Sequence, residues 1–142
     1  MSFSVSFGVT PRDVSRLPRR IRERILKKRK RALMRTAIKG TEIITNRTAR
    51  GMGVDGRFKP YSTKYAEFRS AKGLPLTPDL NVEGLMIGNM TQTANPKQAR
   101  IFFSNAKQAK KATRNDQLRP FFSFNKQETS ELATFFSREL MR

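Results

Sequence analysis

The stretch Arg19-Arg-Ile-Arg-Glu-Arg-Ile-Leu-Lys-Lys-Arg-Lys-Arg31 sets the architecture, because its apolar positions continue in a helical period as far as residue 44. Leu17, Ile21, Ile25, Leu26, Leu33, Ala37, Ile38 and Ile44 recur at spacings of 3, 4 and 7, which predicts one buried stripe on a helix over about residues 18–48. Pro18 is poorly tolerated deep inside a helix. It divides the main helix from a short first turn, capped at Thr10 with Pro11 and Asp13 behind it. Gly40 weakens the helix by roughly 1 kcal/mol relative to Ala, so a bend is expected there. Gly51 and Gly53 end it.

The same helix carries the charge. From Arg16 to Arg50 there are 14 basic residues, opposed only by Glu23 and Glu42. Like charges at i,i+4 repel by a few tenths of a kcal/mol per pair, so a long basic helix in open water is a poor design without an anionic neighbour. Arg19, Arg20, Arg22, Arg24, Lys27, Lys28, Arg29, Lys30 and Arg31 are the candidate contacts to DNA or to an acidic protein partner. The plainer reading is a solvated face of long side chains with buried stems and wet heads.

Across all 142 residues the formal net charge is +19, from 30 Lys+Arg against 11 Asp+Glu. Nucleic acid is the first partner such a balance suggests. With 11 Phe and no Trp, the core must be built on phenylalanine. There is no Cys, which excludes a disulfide scaffold and a thiolate metal site. There is no His, which removes the commonest general base near neutral pH. The few carboxylates form no D-x-D or H-E-x-x-H arrangement, which argues against a small metal-dependent nuclease. Gly51-x-Gly53-x-x-Gly56 matches a dinucleotide fingerprint as a string. It follows a basic helix rather than a strand, so the match is chance. No cofactor is implied. No apolar run approaches the ~18 residues of a membrane span, and the N-terminus lacks the regions of a secretory signal. The expected location is a cytoplasm, or a particle assembled in one.

Residues 2–9 alternate, with Phe3, Val5, Phe7 and Val9 on one face and Ser2, Ser4, Ser6 and Gly8 on the other. This is either an edge strand of the domain's own sheet or an N-terminal arm, within residues 1–10, that joins a neighbouring subunit. The Thr10-Pro11 corner favours an intersubunit arm. Downstream, residues 51–61 read as a loop with a turn at Asp55-Gly56. Ser62 caps a short helix to about Ala71, ended by Gly73. Leu74–Pro78 is an extended linker. A second short helix is expected over Val82–Met90, then a hairpin over residues 91–104 turning at Asn95-Pro96. A basic helix from Asn105 to Ala112 and an extended aromatic segment, Leu118–Phe124, follow. Asn125 and Glu128 form a capping box for a terminal helix with stripe Leu132, Phe136 and Leu140. The fold class is therefore α+β: one domain over residues 1–142, with a long basic N-terminal helix, short helices, a small antiparallel sheet and a C-terminal helix.

Three blocks carry a resemblance. Asp55-Gly-Arg-Phe-Lys-Pro-Tyr-Ser-Thr-Lys-Tyr-Ala66 is similar, with one residue of slack, to the D-G-x-x-F-x-P-Y-S-x-x-Y-A pattern of the virion morphogenesis, or tail-completion, family of tailed bacteriophages. Asp79-Leu80, Gly84 and Met86 resemble its second block, and Arg119-Pro-Phe121 its third. The matching residues are Asp55, Gly56, Phe58, Pro60, Tyr61, Ser62, Tyr65, Asp79, Leu80, Gly84, Met86, Arg119, Pro120 and Phe121. They fall in family order and, with the basic helix, cover nearly the whole chain. The resemblance implies a non-enzymatic neck subunit in the virion, at the head–tail junction. It implies a homo-oligomeric ring between the head connector, on the portal side, and the tail terminator or tail tube, beside packaged DNA, with no membrane. The other reading is a stand-alone, non-specific nucleic-acid-binding protein.

Overall fold

Pro18 stands at the N-cap of helix α1, which runs unbroken from Arg19 to Ala49 in a computed structural model describing residues 3–9 and 13–142. The expected cap at Thr10, the Thr10-Pro11 corner and Ser2 lie outside the described residues. The helix ends where Gly51 adopts a left-handed φ of 74°, a conformation glycine takes without steric cost.

The two halves of α1 differ. Ala32, Leu33, Thr36, Ala37, Gly40 and Ile44 are buried in the second half, where Ile38 alone of the expected stripe is exposed, whereas Ile21 in the first half and Leu17 just before the helix are exposed. The expected single stripe is thus corrected. Burial begins near Ala32, and the first three turns form a stem whose Ile25 and Leu26 are only partly covered. Periodicity alone marks where apolar residues recur, not how far the rest of the domain extends along the helix.

Strand β1 (Ser4–Gly8) pairs antiparallel with β5 (Gln98–Phe103), which pairs antiparallel with β4 (Met90–Ala94), giving the order β1-β5-β4. Ser4 faces Phe102 and Gly8 faces Gln98. Phe3, Val5, Phe7 and Val9 pack on the chain's own core, while Ser4, Ser6 and Gly8 face out. This corrects the intersubunit arm. The Phe3 ring lies 4.8 Å from Phe122, and Phe7 lies 5.4 Å from Phe124. Within-chain pairing satisfies the backbone groups on the side of the strand that faces β5 and covers its apolar face together.

The buried half of α1 lies across β4 and β5, with α4 (Lys126–Leu140) alongside. The central strand sends Ala99, Ile101 and Phe103 inward. Gly40 allows this approach. A Cβ there would sit 2.9 Å from the Phe124 ring and 3.2 Å from Ile101 and Phe7. Its place in the helix is a packing contact, where the sequence suggests a bend. Phe58, Phe103, Phe121 and Phe122 are all buried, so phenylalanine does build the core. Full burial of one such side chain contributes about 2–3 kcal/mol.

Other elements follow local signals. Strands β2 (Met52–Gly53) and β3 (Gly56–Arg57) make a tight hairpin around Val54-Asp55. Helix α2 spans Thr63–Ala71, with the Ser62 hydroxyl accepting from the Tyr65 amide at 3.3 Å. The Asn95 side chain accepts from the Lys97 and Gln98 amides and closes the β4–β5 turn. Asn125 and Glu128 form the expected capping box of α4.

Two expectations fail. Val82–Met90 is not an α-helix; it contains one short 3-10 turn, Ile87–Asn89. Asn81 accepts from the Gly84 amide at 2.6 Å and Asp79 from the Asn81 amide at 3.0 Å. These side-chain bonds compete with helix, and Gly84 and Leu80 have positive φ. Helix α3 spans Ala106–Leu118, six residues past the expected end, so the extended segment starts only at Arg119.

Candidate functional site

Three helix-length separations bring the motif residues together around Tyr61. Ser62 starts α2, and one and two turns later Tyr65 and Arg69 follow on the same face. Arg69 is fully buried. Its Nε donates to the Pro75 carbonyl at 2.8 Å, Nη1 to the Asn81 carbonyl at 3.0 Å and Nη2 to the Asp79 carboxylate at 2.9 Å. A planar fork suits such a site, where a lysine would offer one point charge.

Arg119 approaches from the end of α3. Its Nε donates to the Lys59 carbonyl at 2.8 Å and its Nη2 to the Pro60 carbonyl at 3.0 Å. Both guanidinium carbons lie within cation–π range of the Tyr61 ring, Arg69 at 4.9 Å and Arg119 at 4.8 Å. The Tyr61 hydroxyl accepts from the Leu80 amide at 3.1 Å, and its ring meets Tyr65 edge-on at 4.8 Å. Burial pushes the Tyr61 phenol above its ordinary value, against the opposing pull of the Leu80 amide and of Arg69. For Arg69, burial favours the neutral form, but Tyr65, Tyr61 and Asp79 outweigh it and raise the pKa, so the charge is retained.

The first block is tied to the third a second time. The Val54 amide donates to the Pro120 carbonyl at 2.9 Å, and Phe58 packs over Gly53, where any Cβ would collide with Pro120. Asp116 accepts from the Phe121 and Phe122 amides at 3.0 and 2.9 Å. Phe58, Pro60, Tyr61, Tyr65, Asp79, Leu80, Arg119, Pro120 and Phe121 thus form one connected group. Asp55 stays in the hairpin turn and Gly56 opens β3. Gly84 and the buried Met86 reach the group only as walls of an adjoining cleft of about 610 Å³. Phe68, Val82, Leu85 and Leu118 line that cleft and are exposed.

Sequence reasoning missed both buried arginines. Arg47 of α1 bonds Glu128 through Nη1, and through Nη2 the Phe121 and Ser123 carbonyls, clamping the aromatic segment to α4. Nothing separates Arg47 or Arg69 from 28 other cations by composition; the only hint is Arg69 standing one turn beyond Tyr65 on an aromatic face.

The basic stem is the second site. Arg19 pairs with Glu23 at 2.8 Å in open solvent, and Arg22 reaches back to the Ser15 carbonyl. Arg20, Arg24, Lys27, Lys28, Lys30 and Arg31 are exposed, and Arg29 is partly covered. Arg31 donates to the main-chain oxygen of Arg142 at 3.1 Å.

Among the described residues, no three His, Cys, Asp or Glu side chains stand together as a metal site, and no helix is long and apolar enough to cross a membrane. Comparison with protein-family models, with curated proteins and with solved structures finds no match to this chain.

Proposed function

We propose that the chain is a structural subunit of the head–tail junction of a tailed bacteriophage, a non-enzymatic ring component joining the head connector to the tail. The observation that carries this reading is the meeting of all three tail-completion-like blocks. Residues 58–65, 79–80 and 119–121 are far apart in sequence, yet Tyr61 touches Leu80, Arg69 and Arg119 directly. Chance string matches have no reason to lock one another in space. Each nitrogen of the Arg69 fork donates to one of Pro75, Asn81 and Asp79, which suits a structural tie rather than a reacting group. The exposed apolar wall of Phe68, Val82, Leu85 and Leu118 offers surface for a neighbouring subunit in a closed, head-to-tail ring.

The test is genetic and structural. Removing the gene from its phage should leave full heads and finished tails unjoined, and the protein should be detected at the neck of purified particles. Normal joining without the protein would overturn the reading. A second reading, a stand-alone nucleic-acid-binding protein, is favoured by the projecting basic stem. It requires a chain that is monomeric in solution and absent from particles.

A further inference from the structure

The stem's charge is not spread evenly around the helix. Arg24, Lys27, Lys28, Arg31 and Arg35 are spaced by 3, 1, 3 and 4 residues, so they share one face of α1. With Arg142 from beyond the end of α4, they line a single open cleft of about 670 Å³. No carboxylate side chain lines it. The nearest acid, Glu139, is itself buried and is taken by Arg35 at 2.8 Å and Arg142 at 3.3 Å. Arg24, Lys27 and Lys28 are left exposed at the mouth. Arg20, one turn before Arg24, continues this face, and three other cations of the stem are disposed differently. Arg19 is paired with Glu23, and Arg22 and Arg29 turn toward residues 13–15 and the β4–β5 turn.

We propose that this face is a phosphate-backbone site for nucleic acid, with Arg24, Lys27, Lys28 and Arg31 as its contacts. Arg35 and Arg142, anchored through Glu139, form the floor. From Arg24 to Arg35 the helix rises about 16 Å at 1.5 Å per residue. Over that length one strand of a duplex presents on the order of five phosphates, at 3.4 Å each. The row of charges therefore matches a backbone segment, and a single free phosphate would engage only part of it. The cleft has no aromatic wall on which bases could stack, so binding is blind to sequence and prefers duplex to single strand. This inference rests on the stem's geometry and stands whether or not the chain belongs to a phage neck.

The experiment is fluorescence anisotropy with a labelled 30-base-pair duplex of arbitrary sequence, titrated with full-length protein at several KCl concentrations. The triple variant Lys27→Gln, Lys28→Gln, Arg31→Gln is compared with Arg19→Gln, Arg22→Gln, Lys30→Gln, which removes the same charge from other faces of the same helix. Circular dichroism of each establishes that α1 is intact. Removing three phosphate contacts should flatten the log–log salt slope by about 2.7, at 0.9 per contact. It should weaken binding more than tenfold at low salt, while the control triple loses less than threefold. A second duplex of unrelated sequence should bind equally. Equal losses in the two triples would overturn the site, leaving only bulk charge. Absence of duplex binding at 50 mM KCl would overturn the ligand class. So would tighter binding of polyglutamate than of duplex through the same three residues, which would assign the face to an acidic protein. Inorganic phosphate that displaces duplex better than chloride of equal ionic strength would reassign it to a small-anion site.

Discussion

The guanidinium of Arg69 is sealed from solvent and meets the Asp79 carboxylate at 2.9 Å, so two residues ten positions apart hold the linker after α2 as a closed loop. Breaking a buried pair leaves an uncompensated charge, at a cost of about 3–5 kcal/mol. Arg69→Ala should lose that much in urea denaturation, a large share of the stability of a domain this size. Arg69→Lys should recover only part, because one ammonium cannot reach Pro75, Asn81 and Asp79 together. Wild-type stability in Arg69→Ala would show that the tie is dispensable.

Tyr61 makes an alkaline signature. Its phenol is raised from the ordinary value near 10, with burial as the main cause. A group whose folded pKa is raised contributes stability that is complete below its unfolded pKa and is lost as pH rises through the folded one. Stability should therefore fall above pH 10. With only two tyrosines in the chain, absorbance at the phenolate band can follow this directly. Tyr61→Phe should abolish the late-titrating component and flatten that part of the stability curve.

Gly40 separates helix propensity from packing. In an exposed helix, Gly→Ala gains about 1 kcal/mol. Here the new methyl meets Phe124 at 2.9 Å and Ile101 and Phe7 at 3.2 Å. Gly40→Ala should show no gain in the urea midpoint, and Gly40→Val should lose about 2 kcal/mol through overpacking. A stabilised Gly40→Ala would mean the three side chains yield freely.

Asn125 and Glu128 share a cap but not a burden. Asn125→Ala should cost about 1 kcal/mol, the worth of a helix N-cap. Glu128 also holds the buried Arg47, so Glu128→Ala should cost about 3 kcal/mol or more. Equal losses in thermal or urea melts would show that the Arg47 contact adds nothing.

Strand β1 is part of the fold, so trimming it should harm the monomer. Phe3 and Phe7 are half-buried against Phe122 and Phe124. Phe3→Ala with Phe7→Ala should destabilise by about 3 kcal/mol, less than two fully buried phenylalanines would. Deleting residues 3–9 should bare the edge of β5 and drive aggregation, seen by light scattering. A soluble, fully stable deletion would return the segment to the role of a detachable arm.

What could be read from sequence followed local chemistry. The start of α1 at Pro18, the Ser62 cap, the Asn95-Pro96 turn and the Asn125–Glu128 box each need only neighbours within four residues. What escaped depended on distant ones. The exception is the helix expected at Val82–Met90, which lost to local bonds of the Asp79 and Asn81 side chains and to positive φ at Gly84. The far end of the α1 stripe stays partly wet, with Leu17 and Ile21 exposed beyond the packed half of the helix. At the candidate site, the aromatic and proline positions were visible as a motif. Arg69 and Arg47 were not, since Arg69 is held by a loop 6 to 12 positions on and Arg47 by carbonyls more than 70 positions on.

The pairing of Ser4 with Phe102 also has a bearing on time. Strand β1 leaves the ribosome before its partner, which follows 98 residues later. At about 5–20 residues per second, the early strand waits on the order of 5–20 s with Phe3, Val5, Phe7 and Val9 uncovered. Closing a sheet over so long a separation is intrinsically slow. The nascent chain therefore passes through a window in which α1 can form but the sheet cannot, and the β1 segment is the place where a chaperone would find purchase.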